Sequence, residues 1–210
     1  VIFDMDGLLI DSEPYWERAR ADYCASVGCK WKAEDELTVK GHNSAEWATV
    51  IKGRCGLAET IESIVQGVSQ RVEALYRERL PLLPGSQEVV RDLASSYPLA
   101  IASSSPQEIV EYAMRLAGML DRFQVVVSAD QVGKGKPNPE VFLEAARLLQ
   151  VPPHEIAVFE DSSAGIEAAV RAGMWTIAVP NAHYPPTETA LARANLVLGR
   201  LEDFRPQMLP

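Results

Sequence analysis

Val1-Ile2-Phe3-Asp4-Met5-Asp6-Gly7-Leu8-Leu9-Ile10 opens the chain with three apolar, strand-favouring residues that run into two carboxylates one residue apart and then a glycine. This is the pattern of a strand that ends in chemistry. In an open parallel α/β sheet, ligands bind outside the carboxyl ends of the strands, which places Asp4 and Asp6 at the mouth of the sheet. Gly7 lets the backbone turn away sharply. Two carboxylates this close repel unless a cation lies between them or one holds a proton, and both arrangements serve catalysis. Asp-Gly is also ordinary turn chemistry, so the reading needs support from the rest of the chain.

Composition bounds that reading. With 210 residues, 47% apolar and 23% charged, the chain suits one good core and a smaller accessory domain. A formal net charge of -9 argues against a nucleic-acid or anionic-membrane surface, so an anionic ligand must be held by a metal, a single lysine or helix N-termini. No apolar run approaches the ~18 residues of a membrane span. No signal peptide is visible, although the chain starts at Val1 and a removed leader stays open. Cys24, Cys29 and Cys55 are odd in number and in no metal-ligand spacing, which predicts reduced thiols in a cytoplasmic protein.

After the first strand, Ser12-Glu13-Pro14 is a helix start with Ser12 as cap. Helical spacing then runs to about Leu80: first Trp16, Ala19, Tyr23 and Val27, later Ile61, Ile64, Val65, Val68, Val72, Leu75 and Tyr76. Gly41-His42-Asn43-Ser44 interrupts it, with Ser44 expected to cap the next helix. Leu80-Pro81-Leu82-Leu83-Pro84-Gly85 is a stiff connector. Residues 14–80 are therefore expected to form an inserted helical cap domain, and residues 1–13 with 81–210 an α/β core domain.

Beyond the connector, strands at 99–103, 125–128, 156–160 and 176–179 alternate with helices at 86–95, 106–118, 139–150 and 163–172, and a short edge strand is expected at 196–198. Such alternation predicts an α/β, doubly wound parallel sheet. One helix carries an apolar stripe of Val141, Phe142, Ala145, Leu148 and Leu149.

Polar groups recur where strands end. Ser103, with Ser104 beside it, follows one strand, and Ser105 with Glu108 reads as a capping box around Pro106, which leaves the Ser103 hydroxyl free for an anion. Lys136 in Lys136-Pro137-Asn138-Pro139 brings a compact positive charge to the same mouth. Glu160-Asp161 ends the next strand in two more carboxylates, and hard oxygen donors facing Asp4 and Asp6 suit Mg²⁺. Ser163 is expected to cap the helix that follows. Ordinary turns require no such convergence.

These residues, in order, resemble the four motifs of the haloacid-dehalogenase-like superfamily, and the resemblance covers essentially the whole chain, including a helical cap after the first motif. Within it the chain looks most similar to sugar-phosphate phosphatases of the 2-deoxyglucose-6-phosphate phosphatase type and to β-phosphoglucomutase. The resemblance implies Asp4 as nucleophile, Asp6 as acid and base, and Ser103, Ser104 and Lys136 as phosphate holders. It implies Mg²⁺ ligation by Asp4, the backbone carbonyl of Asp6 and Asp161, with Glu160 beside them. The expected reaction is hydrolysis of a small phosphorylated metabolite, most simply a sugar phosphate, through an aspartyl-phosphate. A monomer with neither nucleic-acid nor membrane partner is expected.

Single residues separate the relatives. Asp6 and the Glu160-Asp161 pair argue against metal-free dehalogenation. Ser44 stands where the phosphonate hydrolases resemble one another in a cap lysine, and Trp16 where the mutase carries a histidine. Hydrolysis is favoured over the mutase alternative, and a non-catalytic phosphate-binding module has no use for both Asp4 and Asp6. The core motifs touch only phosphate and metal, so specificity is assigned to the cap: Gly41, His42 and Asn43, with Glu13 near the hinge.

Overall fold

The computed structural model describes residues 1–39, 42–181 and 184–210. Gly41 therefore lies outside the described residues. A six-stranded, all-parallel sheet runs in the order β3-β2-β1-β4-β5-β6, with β1 Ile2–Phe3, β2 Ala100–Ser103, β3 Val125–Ser128, β4 Ala157–Glu160, β5 Trp175–Ala178 and β6 Leu196–Val197. The expected doubly wound sheet is thus present, with its late strand on an edge. The chain winds from β1 outward through β2 to β3, then returns to the other side of β1 for β4, β5 and β6. That reversal puts a crevice beside the carboxyl end of β1, where open α/β sheets bind ligands.

The strands read as continuous apolar runs because both faces are covered. Ile2, Ala100, Ala102 and Val158 point into one buried cluster, while Phe3, Ile101 and Phe159 join another on the opposite face. Phe3 and Phe159, paired in register on β1 and β4, stack with centroids 4.7 Å apart. The first face is closed by Val141, Phe142 and Ala145 of a helix at Glu140–Leu149. Leu148, placed by its spacing in that helix's apolar stripe, is instead 43% exposed. Two leucines side by side near a helix end cannot both face one sheet, and Leu149 takes the inner position.

Between β1 and the connector the described residues hold helices and no strand: α1 Glu13–Ser26, α2 Ala33–Leu37, α3 Ser44–Cys55 and α4 Ile61–Glu78. Their apolar faces continue the Phe3 cluster, so Trp16, Ala19, Trp47, Ile51, Ile64 and Val68 share one core with Ile101 and Val90. The helix starts differ in detail from their sequence signals. Asn43, not Ser44, caps α3, accepting from the Glu46 N–H at 3.0 Å while the Glu46 side chain accepts from the Asn43 N–H at 2.9 Å. Ser12 precedes α1 without making a side-chain cap bond. The remaining helices are α5 Ser86–Ala94, α6 Gln107–Leu116, α7 Ala129–Val132, α8 Glu140–Leu149, α9 Ser163–Arg171 and α10 Glu188–Leu191.

One expectation fails outright. Cys29 and Cys55 form a disulfide, with Cα atoms 5.4 Å apart, and only Cys24 is a free thiol. Their separation of 26 residues carried no signal, because the folding of α2 and α3 is what brings the two sulfurs together. The inference from reduced thiols to a cytoplasmic compartment loses its support. Among the described residues, no helix is long and apolar enough to cross a membrane.

Candidate active site

Asp4 follows β1 directly, and its N–H donates to the Phe159 carbonyl on β4 at 3.0 Å. Strand pairing therefore fixes the Asp4 backbone one residue beyond β1. Lys136 comes to it from the loop between α7 and α8. Its Nζ donates to Asp4 Oδ1 at 2.5 Å, to Glu160 Oε1 at 2.6 Å and to the Ala102 carbonyl at 3.1 Å, which uses all three ammonium donors. The ammonium also lies 4.8 Å from the centre of the Phe142 ring. Burial disfavours the Lys136 charge, but Asp4 and Glu160 outweigh it and hold the ammonium above the ordinary lysine range.

Glu160 is fully buried and fully engaged. Its Oε2 accepts from the N–H of Asp161 at 2.9 Å and from the N–H and hydroxyl of Ser162, each at 3.0 Å. Gly165 makes room for it, since a Cβ there would lie 1.7 Å from Glu160 Oε1. Ser162 also accepts from the Gly165 N–H at 3.0 Å, so Ser162 caps α9, where the sequence pointed to Ser163. Asp161 is admitted by Gly7, whose φ of +80° and missing side chain both matter: a Cβ would meet Asp161 Oδ2 at 2.1 Å. Asn181 donates to the Gly7 carbonyl at 3.1 Å and steadies that turn.

Ligand atoms of Asp4, Glu160 and Asp161 all lie within 4.8 Å of one another. Burial pushes the Asp4 carboxyl up to about 8 against the pull of Lys136, with Glu160 and Asp6 adding to the rise. Burial, then Glu160 and Asp4, raises Asp161 well above the usual carboxylate range. Three buried carboxylates around a single lysine leave negative charge that a hard divalent cation would cancel. The donor set, all oxygen, fits Mg²⁺.

Asp6 lines one cavity with this group but has partners of its own. Its Oδ2 accepts from the hydroxyls of Ser103 at 2.9 Å and Ser105 at 2.8 Å, and its Oδ1 from the Trp16 indole N–H at 3.3 Å. Ser103, expected to be free for an anion, is fully buried against Asp6, and its oxygen accepts from the Ser105 N–H at 2.9 Å. Ser105 is not a helix cap: α6 begins after Pro106 without a side-chain cap bond. The capping-box pattern failed because the fold brings the Ser105 hydroxyl within 2.8 Å of the Asp6 carboxyl, which takes its hydrogen bond.

A cavity of about 590 Å³ opens in front of these residues. Asp4, Asp6, Ser104, Lys136, Glu160 and Asp161 line its floor, and Trp16, Arg20, Val39, His42, Trp47 and Tyr184 line its roof, with Glu13 at the side. Arg20 is occupied by Glu36, which accepts from both Arg20 Nε and Nη2 and from the Trp31 indole at 2.8 Å. Asn43 does not line the cavity. It is buried at the start of α3, a correction to its expected place beside His42. Asp130 of α7 accepts from the Ser44 N–H at 2.9 Å and so joins the helical roof to the sheet.

The model of the family described as haloacid dehalogenase-like hydrolase matches residues 1–179. The chain belongs to the haloacid dehalogenase-like hydrolases. Hexitol phosphatase B of Escherichia coli O157:H7 is 34% identical over 207 residues, covering 97% of this chain and 92% of its own. The phosphorylated carbohydrates phosphatase of Thermotoga maritima is 33% identical over 175 residues, covering 83% of this chain and 81% of its own. Among solved structures, CbbY of Rhodobacter sphaeroides in complex with phosphate superposes with a TM-score of 0.86 at 27% identity, over 96% of this chain and 94% of that one. Both curated relatives are phosphatases, in keeping with a phosphoric monoester hydrolase. Sequence reasoning about this haloacid dehalogenase-like hydrolase did not find the roles of Ser105, Ser162 and Asn181, nor the contact of Trp16 with Asp6. At Ser105 the sequence signal pointed to a helix cap, and the cap that Ser162 supplies was assigned to Ser163.

Proposed function

We propose that the chain hydrolyses phosphate monoesters of small sugars or sugar alcohols, with Asp4 as nucleophile and Asp6 as proton carrier. The observation that carries this reading is the floor of the cavity, where Asp4 stands between Lys136 and Asp161 with Asp6 alongside. Asp4 and Asp161, with Glu160 next to them, would hold Mg²⁺, as would the backbone carbonyl of Asp6 by family resemblance. When bound, the ion cancels charge on the phosphoryl oxygens and lets one anion approach another.

The chain's own groups do the rest. In the first step an Asp4 oxygen bonds to phosphorus, the bond to the leaving oxygen breaks, and Asp6 gives that oxygen its proton. In the second, Asp6, now ionised, takes a proton from water, the resulting hydroxide bonds to phosphorus, and the Asp4–phosphorus bond breaks. Asp6 ends as it began. Lys136 neutralises the phosphoryl group throughout, with Ser104 at the same wall of the cavity. The helical segment 14–80 acts as a cap that excludes water and reads the leaving group. Mutase chemistry is disfavoured because Trp16, which donates to Asp6, has no acceptor and cannot relay a proton.

Turnover of p-nitrophenyl phosphate and of hexose and hexitol phosphates with Mg²⁺, and its loss in EDTA, is the direct test. No turnover of any of them with saturating Mg²⁺ would overturn the reading.

A further inference from the structure

Among the described residues, one cluster of cysteines lies outside the active site and has no role in the reaction. The sulfurs of Cys24, Cys29 and Cys55 lie within 4.8 Å of one another in the helical roof. Cys24 is fully buried on α1 and burial pushes its thiol up to about 11, which keeps it protonated and unreactive at neutral pH. Cys29 and Cys55 are half-buried and already joined.

Their bond has a particular place in the fold. Cys29 lies just after α1, tied to it by its N–H on the Cys24 carbonyl at 2.9 Å, and Cys55 is the last residue of α3. The bond therefore closes a loop that contains α2, α3 and three residues of the cavity roof, Val39, His42 and Trp47. Every core motif lies outside that loop. Two polar ties run alongside the disulfide: Arg54 at the end of α3 donates to Asp35 of α2 at 2.9 Å, and Arg20 pairs with Glu36. The Asp35 pair is partly exposed and of small worth, so the covalent tie dominates at that end.

We propose that Cys29–Cys55 is a redox modification site, opened by dithiol reductants, that sets how the roof recognises the leaving group and leaves phosphoryl chemistry untouched. The exchange balances. A thiolate of the dithiol bonds to one sulfur and expels the other as a thiolate; the reductant's second thiol then closes on the first, releasing two cysteine thiols and an oxidised dithiol. With the tie cut, the roof keeps its ion pairs but holds Val39, His42 and Trp47 less rigidly. Binding of a sugar must then supply the ordering that the bond had provided.

This inference rests on the phosphatase reading, so the experiment separates the two. Peptide mapping without reductant, after thiol alkylation, is expected to find Cys29 joined to Cys55 and Cys24 alkylated only on denaturation. A map with both thiols free in air-oxidised protein would overturn the proposal whatever the enzyme's activity. Dithiothreitol is expected to raise KM for a hexose or hexitol phosphate by at least about fivefold, the low end of typical coupling between sites. Turnover of p-nitrophenyl phosphate should change less than about twofold, because its small leaving group needs little from the roof. The C29S/C55S double variant should match reduced wild type and ignore dithiothreitol. An unchanged KM in that variant, or an equal loss on both substrates, would refute the proposal. A mapped disulfide with no turnover of any phosphate would sink the activity reading instead.

Discussion

Gly165→Ala is expected to cost stability and activity at a position where helix propensity alone foresees a gain. Gly165 sits in the first turn of α9, and replacing a helical glycine by alanine normally contributes about 0.8–1.0 kcal/mol. Here the new Cβ would fall 1.7 Å from Glu160 Oε1 and 1.8 Å from its Cδ, inside the carboxylate itself. Glu160 must move, and with it go the 2.6 Å contact to Lys136 and the three hydrogen bonds from Asp161 and Ser162. Breaking a buried pair costs about 3–5 kcal/mol, so after the helix gain a net loss of about 2–4 kcal/mol remains. Lys136 loses one of its anchors, and a misplacement near 1 Å at a reacting centre costs about 10²-fold in kcat. The control is Gly53→Ala in α3, where a Cβ meets nothing within 4 Å and the gain of about 0.8–1.0 kcal/mol should appear. Urea unfolding followed by tryptophan fluorescence and p-nitrophenyl phosphate turnover give both numbers. If Gly165→Ala were as stable and as active as wild type, Glu160 could not be the buried partner of Lys136.

Asp4→Asn should leave the fold intact and reduce kcat below about a hundredth, beyond what loss of acid-base help at the low end explains; a higher residual rate would remove Asp4 as nucleophile. Asp6→Asn should slow a hexose phosphate more than p-nitrophenyl phosphate, whose leaving group needs no proton, and equal losses would count against the acid role. Asp161→Ala should raise the Mg²⁺ concentration needed for half-maximal turnover, and an unchanged requirement would place the ion elsewhere. Asn43→Ala should cost about 1 kcal/mol of stability with the substrate ranking intact, since its side chain caps α3, whereas His42→Ala should change the ranking. Reversed results would return Asn43 to the cavity.

The sheet was legible in the sequence because each strand is an apolar run bounded by polar groups, and a parallel strand covered on both faces leaves no other pattern. The residues at the strand ends were legible for the same reason. Asp4, Glu160 and Asp161 are charged groups placed where an apolar run stops, Lys136 lies in the loop between α7 and α8, and the doubly wound topology brings the strand ends to one side of the sheet. Helix stripes were legible in their period but not at their ends, as Leu148 illustrates.

What only the tertiary structure decided is which neighbour each polar side chain answers to. Ser105 and Glu108 satisfy the capping pattern in sequence, yet Asp6, 99 residues away along the chain, takes the Ser105 hydroxyl. Asn43 looked like a ligand contact and is a cap. Gly165 is indistinguishable in sequence from other helix glycines and Gly7 reads there only as a turn, whereas in the structure a carboxylate occupies the space of the missing Cβ at both. Cys29 and Cys55 meet only because α2 and α3 fold between them. Local pattern specifies backbone, since backbone hydrogen bonding and burial repeat with a period that the chain itself carries. A polar side chain chooses among donors and acceptors by distance and charge, and those distances exist only once the elements have packed.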